Sequence, residues 1–481
     1  MSAHRAALGV TGAVLLLVGG SWYQALVTPP YRFIDEQAHA GYVLEVQGGH
    51  LPTIDTPIDG AAGGSALRTR LLSEPQRRHD VWVANNPPLT YVLAAGPSAL
   101  TRALGISGGP LMGLRLVNVL ATGVAIGLIF LLGRDLADGD ATIGLVAAGL
   151  VAASPHLGFV AALGFNDGVS FLASVAVLLA LARVLGAGPP VDARRSVILL
   201  GLACAFAGGT RPMTLMFAMT AGALGFAWVW WRRQAPVLWS LAWVALPTLI
   251  TSGWFYVLNV HRYGDPTGSD ALFDKFGREP SGSLLSALTR ISTWESSFRT
   301  IVTRRFEAPT STDPYRWYQI ALVIAIVGVI AAVVLVALSA VRNRGTGGGL
   351  PVPAWIGTGI VSSMPVVLTA QHRAGGGAPH PRYLLPVLPF VAIAVALPLV
   401  RLGTRWAGLA LVVVMAGVTL RQTRVAADWL AHNPKGPPGS ELVTAHGNSL
   451  IRGAGLGAAA VGLVLLCAAI AWSGRRPARA R

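Results

Sequence analysis

The chain begins with an apolar run, ALGVTGAVLLLVGGSWYQALV at residues 7–27, followed at once by the sequence TPPYRFIDEQAH at residues 28–39. A helix of about 20 mostly apolar residues crosses the hydrocarbon core of a bilayer, and this run has that length. It lacks a convincing signal-peptidase site and leads directly into polar sequence with candidate catalytic side chains. We therefore expect a retained membrane helix whose C-terminal end presents the residues that follow.

Apolar stretches of similar length recur along most of the chain. Of its 481 residues, 53% are hydrophobic and 12% are charged, which is too apolar for an ordinary soluble protein. Both cysteines, Cys204 and Cys467, lie inside apolar segments and predict neither a disulfide framework nor a thiolate metal site. We expect an all-α, multi-pass protein of the plasma membrane with about 12 transmembrane helices.

The basic residues predict the orientation of the chain. A net charge of +16 could indicate nucleic-acid binding, but excess arginine in a membrane protein more commonly marks cytoplasmic loops and contacts with anionic membrane lipid, so we expect no nucleic-acid partner. The clusters expected in the cytoplasm lie at residues 183–195, 232–233, 342–344, 401–405 and 475–481. Candidate helices lie between them at about 168–186, 196–209, 212–231, 238–258, 317–341, 353–370, 383–401, 405–420 and 452–473.

The acidic residues lie where this orientation predicts exterior loops. Of the 21 Asp and Glu residues, 7 lie in residues 28–88 and 7 in residues 259–316. These two loops, together with 371–382 and 421–450, are expected outside, and both chain termini in the cytoplasm. Three apolar stretches, at 88–104, 111–132 and 141–162, separate two segments assigned to the exterior. Either one of the three does not cross the membrane, or Asp167 lies in the cytoplasm.

The first exterior loop contains candidate catalytic side chains. If residues 34–47 are helical, Asp35 and His39 share one face, one turn apart. A partly shielded carboxylate oriented by a histidine suits a general base, whereas the bland alternative is a solvated helix start in which Asp35 and Glu36 complement the helix dipole. A third alternative is a divalent cation, Mg or Mn, held by Asp35, Glu36 and His39.

Cationic side chains further along the chain suit a phosphate group. Arg373, His380, Arg382 and Tyr383 flank a glycine-rich turn, and guanidinium groups match phosphate oxygens. The alternative is that these residues are interfacial anchors. Arg211 interrupts an apolar run, where an unpaired charge is costly, so we expect a phosphate or acidic partner, with Asp167 the obvious acid.

Nucleotide-binding motifs are absent from the sequence. It has no Walker loop, no GxGxxG after a strand and no soluble stretch long enough for a nucleotide-binding domain. If a group is transferred, its activated donor is therefore expected in the lipid phase.

An ordered series of motifs over residues 28–390 resembles the polyprenyl-phosphate-dependent membrane glycosyltransferases of the GT-C superfamily. The series consists of Asp35-Glu36 with His39, Asn86-Pro87-Pro88-Leu89-Thr90-Tyr91, Asn166-Asp167, Gly253-Trp254-Phe255 through Asn259, Tyr263-Gly264-Asp265-Pro266, and Arg382-Tyr383-Leu384-Leu385-Pro386. This superfamily includes the protein O-mannosyltransferases and the lipid A aminoarabinose transferases, and within it the chain looks most like poorly characterised bacterial members.

The resemblance implies an extracytoplasmic active site, a polyprenyl-phosphate sugar donor and inversion at the anomeric carbon. The catalytic carboxylate of the family corresponds to Asp35, with Glu36 beside it, and a second acid corresponds to Asp167. Two positions depart from the family pattern, since Arg211 stands where relatives often have Lys and Leu258 where Arg is usual. Residues 1–420 are expected to form the GT-C-like module, 421–450 an exterior segment, and 451–481 a last membrane helix with a basic tail.

Our hypothesis is that Asp35 removes a proton from an acceptor hydroxyl while polyprenyl phosphate leaves toward Arg382, with help from Arg373 or Arg211. The acceptor is a glycan, a lipid or a protein. Aromatic residues near the second exterior loop either cover the acceptor or form an interfacial belt; they are Trp294, Phe298, Phe306, Tyr315, Trp317 and Tyr318. The rival hypothesis is a transporter or lipid-sugar flippase without glycosyl transfer.

Overall fold

The computed structural model describes residues 2–33, 35–106, 108–189, 192–303, 315–342, 349–378, 380–403, 405–432 and 449–473. The regular secondary structure of these residues is helical, apart from an isolated β-bridge between Pro57 and Asp80, and loops connect the helices. Phe306, the side chains of Tyr315 and Tyr318, and the expected basic tail at 475–481 lie outside the described part.

The helices of the first half are α1 (Ala3–Val27), α2 (Glu36–Gln47), α3 (Ser65–Leu72), α4 (Leu89–Ala103), α5 (Pro110–Leu136), α6 (Ala141–Ala152), α7 (Pro155–Ala161), α8 (Asp167–Val184), α9 (Ala193–Gly208) and α10 (Pro212–Arg232). Those of the second half are α11 (Val237–Thr248), α12 (Trp254–Tyr263), α13 (Ser269–Lys275), α14 (Leu284–Thr289), α15 (Ile291–Thr303), α16 (Tyr315–Arg342), α17 (Val352–Ala374), α18 (Leu388–Arg401), α19 (Arg405–His432) and α20 (Ser449–Trp472). A π-helical turn joins α11 to α12, and a 3₁₀ turn, Pro381–Val387, precedes α18.

The number of membrane-crossing helices is close to the expected 12. Within the described residues, ten helices are long and apolar enough to cross a bilayer, and an eleventh span is formed if α6 and α7, bent by 66° at their junction, cross together. The difference lies in α9, which has only 16 residues although it runs from the end of the bundle that carries Arg183 to Gly209 at the end that carries α2. At 1.5 Å per residue such a helix is about 24 Å long, short of a 30 Å hydrocarbon core.

Helix α4 explains why three apolar stretches lie between residues 88 and 167, which the prediction assigns to the same side of the membrane. It has 15 residues, and both of its ends lie at the end of the bundle that carries α2. The N–H of Leu89 donates to the carbonyl of Gly209 at 3.2 Å, and Tyr31, in the loop before α2, donates to the carbonyl of Gly108 at 3.2 Å. Helix α4 is therefore the stretch that does not cross, whereas α5 leaves this end and α6 with α7 returns to it.

A glycine-rich contact joins the first helix to the last. A Cβ atom at Gly12 would lie 2.6 Å from the carbonyl oxygen of Gly462, and one at Gly462 would lie 2.5 Å from the carbonyl oxygen of Gly12. Gly19 and Gly455 approach each other in the same way about two helical turns away. Backbones at this separation gain dispersion contacts along their whole length, so α20 stabilises α1 and the loop that follows it.

The opposite end of the bundle carries an enclosed ion cluster. The Asp135 carboxylate is fully buried and accepts from Arg134 at 2.7 Å and from Arg183 at 3.0 Å. Arg401 donates to the carbonyl of Ala137 at 3.1 Å nearby. Basic residues of two expected cytoplasmic clusters, 183–195 and 401–405, therefore lie at one end of the bundle, away from α2.

The two segments predicted as exterior loops, residues 28–88 and 259–316, contact each other. Lys275 donates to Asp55 at 2.6 Å and to Asp80 at 2.7 Å, which ties the segment after α12 to the loop before α4. The Asn85 side chain donates to the carbonyl of Thr267 at 2.9 Å and reinforces the same contact. Residues 28–88 and 263–282 thus form one cap over this end of the bundle.

Candidate functional site

Asp35 is joined to Arg382 at the end of the bundle that the cap covers. The prolines after Thr28 end α1, and Asp35 stands directly before the first residue of α2. Arg382 lies in the 3₁₀ turn that precedes α18, and its Nη2 atom donates to Oδ2 of Asp35 at 2.6 Å. The Asp35 side chain is 23% exposed, so solvent or a ligand can still reach it.

Asp167 and Arg211 extend this ion pair into a network. Nη1 of Arg382 lies 3.8 Å from Oδ2 of Asp167, whose Oδ1 accepts a hydrogen bond from Arg211. Asp167 begins α8 and is nearly buried, and Arg211 directly precedes α10. The expected pairing of Arg211 with Asp167 is present, and Asp167 lies on the same side as Asp35.

Aromatic rings surround the guanidinium groups of the network. The Arg382 guanidinium lies 4.7 Å from the ring centroid of Phe165 and 5.6 Å from that of Tyr383. Arg211 approaches the same Tyr383 ring at 5.5 Å. Ring faces attract cations and exclude water, so both arginines are held in fixed orientations.

The charge of Arg382 sets the ionisation of Asp35. Burial of the Asp35 carboxyl raises its pKa, but the adjacent positive charge of Arg382, with smaller contributions from His39 and His380, outweighs burial and holds the pKa below the usual 3.8. Asp35 is therefore an ionised and weakly basic carboxylate while Arg382 remains bound to it.

Two histidines predicted to contact a phosphate are neutral at physiological pH. Burial lowers the pKa of His39 to about 3, and its Nδ1 atom is hydrogen-bonded to the Tyr91 hydroxyl at 2.9 Å. Burial and the charge of Arg382 lower the pKa of His380 to about 4. Both side chains can exchange hydrogen bonds with a ligand, but neither supplies positive charge near pH 7.

Glu36 points away from Asp35 into an enclosed pair with Arg115. Both side chains are fully buried, and Arg115 donates to Oε1 of Glu36 at 2.8 Å and to Oε2 at 3.0 Å. Arg115 also donates to the carbonyls of Ala25 and Thr28, each at 2.8 Å. One guanidinium thus connects the end of α1 to the start of α2 and fixes the turn that carries Asp35.

Arg373 lies at the edge of the site and not within the network. Helix α17 continues to Ala374, which directs the Arg373 side chain toward α15, where it donates to the hydroxyl of Thr293. The Arg373 carbonyl accepts from the hydroxyl of Ser281 at 2.6 Å. The structure therefore brings Arg382 and Arg211 together with Asp35 and Asp167 but leaves Arg373 outside this group.

The metal site considered over Asp35, Glu36 and His39 is not formed by these side chains. Asp35 is bound to Arg382, Glu36 to Arg115 and His39 to Tyr91, so their donor atoms do not meet at one point. No group of three His, Cys, Asp or Glu side chains within the described ranges converges in a way that would hold a metal ion.

Two cavities meet the 3₁₀ turn that carries Arg382. A cavity of about 410 Å³ includes Asp35, His380 and Arg382 in its wall, together with Arg32, Arg70 and Arg278. A second cavity of about 330 Å³ is lined almost entirely by apolar side chains, including Leu384 and Val387 of the same turn. Trp294, Phe298 and Trp317 line this apolar cavity.

Sequence reasoning missed Arg115, Phe165 and three further arginines that line the polar cavity, Arg32, Arg70 and Arg278. Arg115 carried a usable signal, because a single arginine within the apolar stretch 111–132 requires a buried acidic partner. Phe165 and Arg278 carried none, because their proximity to Arg382 arises only when distant helices pack together.

No protein-family profile matches the sequence, and no curated protein matches it either. Among solved structures, the chain is similar to ArnT from Cupriavidus metallidurans bound to undecaprenyl phosphate, with a TM-score of 0.52 and 14% identity over 96% of this chain and 77% of that chain. The apo state of the same ArnT gives a TM-score of 0.51 and 17% identity over 98% and 76%. An oligosaccharyltransferase from Archaeoglobus fulgidus in the apo form has a TM-score of 0.43 and 13% sequence identity, and the match covers 88% of this chain and 56% of that chain.

At these identities the similarity to ArnT concerns the fold. It extends over nearly the whole chain, and it agrees with the helical architecture. The all-helical, multi-pass membrane fold that the resemblance implied is therefore confirmed, and the chain has a fold similar to that of ArnT.

Proposed function

We propose that the chain transfers a sugar from a polyprenyl-phosphate-linked donor to a hydroxyl group of a glycan, lipid or protein acceptor. The observation that carries this proposal is the turn Pro381–Val387, which presents Arg382 to the polar cavity and Leu384 and Val387 to the apolar one. A polyprenyl phosphate has the same two parts, an anionic head and a hydrocarbon tail. The undecaprenyl phosphate bound to ArnT from Cupriavidus metallidurans supports a ligand of this class.

Asp35 is the proposed general base. Its Oδ2 atom is bound to Arg382, while Oδ1 accepts no hydrogen bond from the described residues and is available to an acceptor hydroxyl. The acceptor proton moves to Asp35 as the acceptor oxygen forms a bond to the anomeric carbon. The bond from that carbon to the phosphate oxygen breaks, and its electron pair leaves with the phosphate. A direct displacement of this kind inverts the anomeric centre.

Arg382 is the proposed phosphate ligand, and Arg211 supports it through Asp167. A guanidinium group can bind two phosphate oxygens at once and stabilise the charge that develops on the leaving group. Arg382 is bound by Asp35, so donor phosphate competes with this carboxylate. When the phosphate binds the Arg382 guanidinium, Asp35 loses the cation that lowers its pKa. Asp35 then becomes a stronger base. Donor binding therefore activates the base in this proposal.

Glu36 has a positioning role in this proposal and does not touch the reacting atoms. Its carboxylate is fully buried against Arg115, and the Gly164 N–H also donates to it at 3.0 Å. The pair holds the turn between α1 and α2, and a misplacement of about 1 Å can cost about 10²-fold in rate.

We place the reaction on the extracytoplasmic side, with both termini in the cytoplasm. The opposite end of the bundle carries Arg134, Arg183 and Arg401, and arginine-rich ends of membrane helices face the cytoplasm. Cysteine residues introduced at position 59, in the cap, and at position 194, at the opposite end, test this orientation through labelling with an impermeant reagent on intact cells. Labelling of position 194 alone would reverse the assignment.

Glycosyl transfer by purified protein tests the function directly. Wild type, Asp35→Asn and Asp270→Asn are supplied with a panel of polyprenyl-phosphate sugars and candidate acceptors. Asp270 is an exposed acid in the same cap and serves as the matched control. Loss of the base is expected to lower the transfer rate by about 10²- to 10⁴-fold in Asp35→Asn alone. Movement of intact lipid-linked sugar across vesicles without a new glycosidic bond would instead identify a flippase.

A further inference from the structure

The polar cavity has more cationic than anionic side chains in its wall. Arg32, Arg70, Arg278 and Arg382 line it, together with the single carboxylate of Asp35. A sugar linked through one phosphate brings one negative charge, and Arg382 is the residue placed to receive it. Such a donor supplies no second anion for Arg278, which lies in the wall of the same cavity.

Arg278 differs from Arg70 and Arg382, each of which is bound to a carboxylate. Arg382 is bound to Asp35 at 2.6 Å, and Arg70 is bound to Glu74 at 2.6 Å. The guanidinium of Arg278 lies over two aromatic rings, 5.7 Å from the centroid of Phe273 and 5.6 Å from that of Phe276. Within the described residues, no carboxylate lies within 4.0 Å of it.

The segment around Arg278 is bound to the C-terminal end of α17, which precedes the turn that carries Arg382. Phe273 packs against His372 with 5.4 Å between ring centroids. The N–H of Ser281 donates to the carbonyl of Ala374 at 2.9 Å, and its hydroxyl donates to the carbonyl of Arg373. Arg278 is therefore held in place in the wall of the cavity that also contains Arg382.

We propose that Arg278 binds a second phosphate group, separate from the leaving phosphate at Arg382. A guanidinium stacked on aromatic rings keeps its donors free at its edge, where they match phosphate oxygens in a bidentate arrangement. The second phosphate belongs either to a diphosphate-linked donor or to the acceptor. This inference rests on the proposed binding of the donor phosphate at Arg382.

The test measures phosphate binding to full-length protein in a phosphate-free detergent such as a maltoside. Protein is first saturated with a short-chain polyprenyl phosphate, and inorganic [³²P]phosphate is then titrated by equilibrium dialysis. Wild type is expected to bind one further phosphate, and Arg278→Gln to bind it about tenfold more weakly or worse. Arg278→Lys retains part of the affinity, and Arg290→Gln, an exposed arginine in the next helix-flanking position, retains all of it.

Two results would overturn the second site: no phosphate bound beyond the polyprenyl phosphate, or equal binding by wild type and Arg278→Gln. Failure of the proposed function has a different signature, since Arg382→Gln would then bind polyprenyl phosphate as wild type does. Comparison of polyprenyl diphosphate with polyprenyl phosphate identifies the source. A preference for the diphosphate that Arg278→Gln abolishes assigns the second phosphate to the donor, and equal binding of the two lipids assigns it to the acceptor.

Discussion

Nη2 of Arg382 lies 2.6 Å from Oδ2 of Asp35, although the two residues are 347 positions apart in the chain. In the proposed reaction one of these residues binds the leaving phosphate and the other accepts the proton. Their direct contact means that neither acts independently of the other. The coupling makes the ionisation of Asp35 depend on what else Arg382 binds.

Replacement of Arg382 by Gln is expected to move the acidic limb of the pH–rate profile to higher pH. With Arg382 present, Asp35 has a pKa below 3.8 and is ionised throughout the usual assay range. Without that cation, burial of the Asp35 carboxyl raises its pKa, so the base becomes protonated as pH falls through a higher value. The measurement is kcat/KM for transfer against pH. Arg382→Lys keeps a positive charge and is the control; a limb that stays in place in Arg382→Gln would contradict the coupling.

Replacement of Arg115 by Met is expected to destabilise the protein by about 3–5 kcal/mol, because the Glu36 carboxylate is left buried without its partner. The double variant Arg115→Met with Glu36→Met removes both charges and should recover most of the thermal stability. It still lacks the hydrogen bonds to the carbonyls of Ala25 and Thr28, so kcat should remain low while donor binding is kept. Thermal unfolding and steady-state transfer measure the two effects. Wild-type kcat in the double variant would show that the pair does not position Asp35.

The contact between α1 and α20 can be tested without reference to activity. Gly462→Leu places a side chain against the carbonyl of Gly12, and overpacking of this kind costs about 1–3 kcal/mol. Gly457→Leu is the matched control, since no atom lies within 4 Å of a Cβ at that position of the same helix. The melting temperature in detergent should fall for Gly462→Leu and stay near that of wild type for Gly457→Leu. Equal melting temperatures would mean that the close approach contributes no stability.

Chelation is expected to leave transfer unchanged. The candidate metal ligands Asp35 and Glu36 are engaged by Arg382 and Arg115, and in the proposed reaction the phosphate charge is balanced by Arg382. Transfer is measured after dialysis against EDTA and again with Mg or Mn restored. A rate that falls on chelation and returns with either ion would place a divalent cation in the site.

The sequence predicted those parts of the fold that depend on local composition. Apolar runs predicted the long helices, and the cost of an unpaired charge in such a run correctly joined Arg211 to Asp167. The sequence does not predict the number of spans exactly, because it does not show that α9 is only 16 residues long or that both ends of α4 lie at the same end of the bundle.

The site was predicted less completely because its contacts join distant segments. Residue type and motif single out Asp35 and Arg382, but their direct contact arises only when the turns before α2 and α18 meet in the folded chain. Arg373 was grouped with Arg382 from proximity in sequence, and the continuation of α17 to Ala374 separates the two side chains. Glu36 was grouped with Asp35 for the same reason, although adjacent residues at a helix start point in different directions.

The affinity of Asp35→Asn for polyprenyl phosphate tests the central claim most directly. Neutralising Asp35 removes the carboxylate that competes for Arg382, so we expect this variant to bind polyprenyl phosphate more tightly than wild type does while its transfer rate falls by about 10²- to 10⁴-fold. Weaker binding of the lipid by Asp35→Asn, or transfer at the wild-type rate, would contradict it.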